Sequence, residues 1–203
     1  VVDDENRLVG IITHDDVLDV VQEEAEEDAY RQSAMEPLEN GYFSTPLFTI
    51  ARKRGVWLFV LSLMSLVTAA VAKSFRGIAE RHEWMEWFLP LVLASGGNTG
   101  SQSATLIIRA MGLGDLTRKE RWHALQREFL TGLLLGGALG FMIFLLLQPL
   151  FGRTFLEAGV VGCTIGVVIA MGACTGALLP MICEQLGWDP AVMSNPLIAS
   201  FSD

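Results

Sequence analysis

The chain has 203 residues, 51% of them hydrophobic, with a formal net charge of -9 and a mean hydropathy of +0.42. Such an acidic balance gives no basis for a nucleic-acid partner, and the long uncharged runs leave too little polar surface for a soluble globular domain. Charge is confined: residues 1–54 are strongly acidic, and from Gly55 onward charges come only in short clusters between apolar runs.

Val1 to Thr13 reads as strand, polar turn, strand, and a helix is expected next with Thr13 or His14 near its cap. Val17, Leu18, Val21 and Ala25 then form one apolar stripe, opposed by Asp16, Asp19, Glu23 and Glu27, with Glu24 and Asp28 beside them. Pro37 and Gly41 interrupt this pattern before Arg52-Lys53-Arg54. With no initiator Met and an apolar stretch still open at Asp203, the chain reads as a piece of a longer protein.

Four apolar runs follow. Val56–Ala72 is about 17 residues without a charge, near the lower limit for crossing a bilayer. Trp87–Ile108 is of similar length with a polar centre, whereas Phe129–Gly152 and Ala158–Cys183 are long enough to span with ease. A fifth segment opens at Asp189-Pro190, with Asp189 as an N-cap and Pro190 at the first helical position. Arg52, Lys53 and Arg54, with Arg109, Arg118, Lys119, Arg121 and Arg127, outnumber Lys73, Arg76, Arg81 and Arg153 in the opposite loops, which sets the N-terminal segment in the cytoplasm. Cys163, Cys174 and Cys183 lack metal-ligand spacing and read as small apolar fillers.

Polar residues at membrane depth carry the chemistry. Ser95-Gly96-Gly97-Asn98-Thr99-Gly100-Ser101-Gln102-Ser103 needs partners that lipid cannot supply. Gly96 and Gly100 suit close helix packing, whereas Asn98 and Gln102 favour a water-filled path. Gly132, Gly136 and Gly140 recur at four, as do Gly162 with Gly166 and Gly172 with Gly176, which predicts helix-on-helix packing. Asn195-Pro196 falls inside the fifth segment, where proline frees a carbonyl and kinks the helix. Broken helices of this kind hold cations. Asp203 reads as the only carboxylate inside a span, and an interfacial position is its alternative. Carboxylate, amide and carbonyl oxygens suit a hard cation, and one Asp per chain suits hydrated Mg2+ shared across a two-fold axis. The acidic stripe from Asp16 to Asp28 is explained either as a solvated face or as a divalent-cation sensor that relieves like-charge repulsion.

These motifs resemble the MgtE-type magnesium channels. The likeness rests on Pro90 with Gly96 to Thr105, on Gly187-Trp188-Asp189-Pro190-Ala191 through Ser194-Asn195-Pro196 to Ser202-Asp203, and on Val1 to Thr13 with Asp15-Asp16-Val17-Leu18-Asp19, which resembles the end of a CBS domain. The resemblance implies a mainly α, polytopic membrane protein with five transmembrane helices per chain, the fifth truncated here. It assigns residues 1–35 to the end of an α/β CBS domain, 36–54 to a connecting helix and linker, and 55–203 to the pore domain. It implies a homodimeric, non-enzymatic Mg2+ channel of the inner (plasma) membrane. In it Asp203, Asn195, the Ala199 carbonyl, Asn98 and Gly97 line the ion path, and Asp16, Asp19, Glu24, Glu27 and Asp28 lie near regulatory Mg2+. ATP at the CBS portion is left open. The alternatives are transport of Co2+ or Ca2+, or a CBS-bearing receptor or scaffold anchored by its spans. An intramembrane aspartyl protease needs two paired carboxylates where one is visible.

Overall fold

The computed structural model describes residues 5, 7, 8, 10–38, 41–193 and 195–202. Seven α-helices are seen among them: α1 (His14–Gln32), α2 (Leu47–Ser74), α3 (Arg76–Ala79), α4 (Leu89–Gly112), α5 (Arg121–Phe151), α6 (Phe155–Gln185) and α7 (Asn195–Ser202). Two 3-10 turns, Glu83–Phe88 and Pro190–Val192, lead into α4 and towards α7. The protein is a mainly α, polytopic membrane protein. Leu8 makes only an isolated bridge, and no strand forms among the described residues. Of the expected strand–turn–strand, Val1–Asp4, Asn6 and Val9 lie outside the described residues.

Local chemistry sets the helix ends. At the start of α1 the Asp16 carboxylate accepts from the Thr13 backbone N–H (2.8 Å) and hydroxyl (2.6 Å), tying the first turn to its cap. Helix α2 starts earlier than the uncharged run, because Arg52, Lys53 and Arg54 lie within its first turns and Lys53 reaches back to the Pro37 carbonyl. Helix α5 ends at Gly152, whose φ of 61° allows the three-residue turn into α6.

Helices α2, α5 and α6 are long and apolar enough to cross a membrane. Helix α4 is 24 residues long, but its polar centre lowers its mean hydropathy. Glycines set how closely these helices approach. A methyl group on Gly136 would lie 2.5 Å from the Gly166 carbonyl oxygen, and Gly132 faces Ala170 and Ala173 in the same way. The expected glycine ridges thus pack α5 on α6. Gly96 lies against Gly172 and Gly100 against Gly176, so α4 rests on the other side of α6 with backbone on backbone.

Side chains seal the two ends of the bundle. At one end Phe88 packs against Phe151, and Arg153 lies over the Trp87 ring at 5.3 Å. At the other, Ile107, Ala177 and Met181 form a cluster with Met111, Ala124 and Leu125. There Arg121, at the start of α5, pairs with Glu184 near the end of α6. Helix α2 has no buried residue among the described residues and meets the bundle chiefly at α7.

Candidate functional site: a polar seam between α4 and the interrupted fifth segment

Asp189 caps the 3-10 turn as expected, its side chain accepting from the Ala191 N–H at 2.9 Å. The chain does not kink around Pro196. It breaks, and α7 restarts at Asn195 with Pro196 in its first turn, where the missing N–H costs no helical bond. Leu197 and Ile198 are buried, and Ile198 and Ser202 lie over Gly100. Gly100 is the twelfth residue of the 24-residue α4, so the far end of α7 reaches about the middle of that helix.

One face of α4 turns towards this restarted helix. Asn98, Ser101, Gln102 and Thr105 recur at helical spacing and form one polar stripe. Ser101 donates its hydroxyl to the Asn195 backbone carbonyl at 3.1 Å, and the Thr105 hydroxyl lies 3.4 Å from the Asn195 side-chain oxygen. With Gln102 and Leu106 these residues line an open cavity of about 450 Å3. The Asn195 backbone carbonyl in the first turn of α7, its amide oxygen and two hydroxyls are thereby gathered beside the middle of α4, a donor set suited to a hard cation or its hydration shell.

Of the expected path residues, Asn195 is in this seam. Asn98 is exposed one turn along the stripe, Gly97 is buried on α4, and half-buried Ala199 follows Asn195 by one turn of α7. Asp203 lies outside the described residues. The expected regulatory residues Asp16, Asp19, Glu24, Glu27 and Asp28 all lie on α1. Among the described residues no group of three His, Cys, Asp or Glu side chains converges to hold a metal ion. Asp16 is taken up by its cap, while Glu27 pairs with Arg31, which also pairs with Asp189. The acidic helix is therefore tied to the turn that opens the fifth segment. Thr13 holds the Asp15 and Asp16 carboxyls below the usual range, chiefly through its side chain.

Glu128 escaped the sequence reading, which began the third span at Phe129. Helix α5 begins at Arg121, so Glu128 lies inside it, a carboxylate on a bundle helix. Glu128 accepts the hydroxyl of Ser103, a buried side chain on α4. Its spacing of four from Gly132, Gly136 and Gly140 was the available signal, since it puts Glu128 on the packed face.

The fold and the seam together define a class: polytopic helical membrane proteins whose polar site is built where a broken helix meets a glycine-rich one. Residues 89–203 match the sequence model of the family described as MgtE, divalent cation transporter. The chain belongs to this family. It is 38% identical to the magnesium transporter MgtE of Thermus thermophilus and 30% identical to that of Bacillus subtilis, in each case over its whole length. The Enterococcus faecalis protein of the same name is 29% identical. The chain spans 45%, 44% and 44% of these three relatives, less than half of each.

Proposed function

We propose that the full-length protein conducts Mg2+ across the inner (plasma) membrane as a homodimeric channel, with its N-terminal segment in the cytoplasm. The observation that carries this reading is the meeting of Ser101 and Thr105, in the central turns of α4, with Asn195. The relatives named magnesium transporter support Mg2+ as the cargo. Mg2+ sheds water reluctantly, so hydroxyl, amide and carbonyl groups act on its hydration shell rather than on the bare ion. Asn98, Gly97, Asn195, the Ala199 carbonyl and Asp203 form the path, and Asp203 from each of two chains supplies the charge that favours a divalent ion. No step in this reading makes or breaks a covalent bond, so the protein acts as a transporter and not as an enzyme.

Regulation is assigned to residues 1–35, the end of a CBS domain, and to the connecting segment 36–54. Cytosolic Mg2+ near Asp16, Asp19, Glu24, Glu27 and Asp28 offsets their mutual repulsion and closes the channel. The bridge from Glu27 through Arg31 to Asp189 supports a route from that helix to the fifth segment.

Full-length protein in liposomes tests both parts. Asn195→Ala is expected to lower Mg2+ influx by about tenfold, the effect of one lost polar contact to a charged group, with wild-type Co2+ and Ca2+ influx below that of Mg2+. Full-rate influx in Asn195→Ala would overturn the path, and equal passage of Co2+ would favour the broader divalent reading. Glu27→Gln with Asp28→Asn should raise the cytosolic Mg2+ needed for closure, and unchanged closure would remove the sensor.

A further inference from the structure

Ser103 is 4% exposed and is the one buried polar side chain among the described residues. Its hydroxyl donates to Glu128 Oε2, across from α4 to α5. Glu128 lies seven residues into α5, about 10 Å along its axis, on the face that carries Gly132, Gly136 and Gly140 onto α6. A carboxylate on that packed face calls for a polar partner, and the Ser103 hydroxyl supplies one.

The packing of α4 gives that bond a role. Gly96 and Gly100 meet Gly172 and Gly176 backbone to backbone, and Ile107 packs against Ala177 and Met181 further along. A hydrogen bond is directional and adds a constraint on the rotation of α4 that apolar contacts leave looser. Ser103 follows Ser101 by two residues, about 200° round the helix, so a bond behind α4 fixes what its front presents. We infer that Glu128 is a positioning residue for the ion path: by holding Ser103 it sets the rotation of α4 at which Ser101 and Thr105 reach Asn195. The inference rests on the reading of the α4–α7 seam as that path.

The test measures Mg2+ and Co2+ influx into liposomes carrying full-length protein. Ser103→Ala and Glu128→Ala should each lower Mg2+ influx by about tenfold, the effect of one lost hydrogen bond to a charged group. Both should also raise the ratio of Co2+ to Mg2+ influx, which a mere loss of folded protein would leave alone. Glu128→Gln still accepts the Ser103 hydroxyl and should keep most of the flux. The double variant Ser103→Ala/Glu128→Ala should be no worse than either single change. Ser103→Ala removes one oxygen atom and keeps the test open if Glu128→Ala fails to fold. A Glu128→Gln as impaired as Glu128→Ala, additive single effects, or an unchanged ion ratio would overturn the inference while Asn195→Ala still blocked influx. Full influx in Asn195→Ala would instead remove the path reading, and the inference with it.

Discussion

At the scale of single residues, the best-defined polar contacts at the cytoplasmic end in the proposed orientation are caps. Thr13 donates to Asp16 and holds its carboxyl below the usual range. A group with a depressed folded value adds stability above its unfolded value and loses that contribution as pH falls through the folded value. The first turn of α1 should therefore be secure at neutral pH and fray only below the ordinary aspartate range. Thr13→Val should move that fraying to higher pH, read from amide exchange at residues 14–18 of the full-length protein. An unchanged pH profile would show that the cap contributes nothing. Both Thr13 and Asp189 were legible as caps in the sequence, because a cap is settled within three residues. The Ser103–Glu128 and Arg31–Asp189 contacts were not, since each joins residues far apart in the chain and depends on how helices pack.

At the scale of elements, small-residue spacing foretold the packing better than hydropathy did. The i, i+4 glycines of α5 and α6 met as expected, because a ridge without side chains is a steric signal independent of its surroundings. Gly136→Val should destabilise the protein by about 1–3 kcal/mol, since its Cβ meets the Gly166 backbone. Gly137→Val next to it meets open space and should change stability little. Thermal unfolding in detergent of the full-length variants separates the two, and equal losses would contradict the interlock. The fifth segment was less legible. Asn195-Pro196 marked an interruption, but proline accommodates either a kink or a restart, and the chain restarts.

At the scale of the whole molecule, the stripe of Asn98, Gln102 and Thr105 is exposed on the single chain although it lies in the middle of a bundle helix. Lipid cannot satisfy such groups, so this face is expected to meet a second copy across a water-filled path. With Cys163, Cys174 and Cys183 replaced, Gln102→Cys in the full-length protein should cross-link one protomer to its partner. A protein that stayed monomeric in the bilayer would contradict the shared path. The central claim is that two chains form a Mg2+ path at this seam. Its most direct measurement is Mg2+ influx through full-length protein in liposomes, comparing wild type with Asp203→Ala. The account predicts that the substitution removes most of the influx, because Asp203 supplies the charge that favours a divalent ion. Influx at the wild-type rate would contradict it.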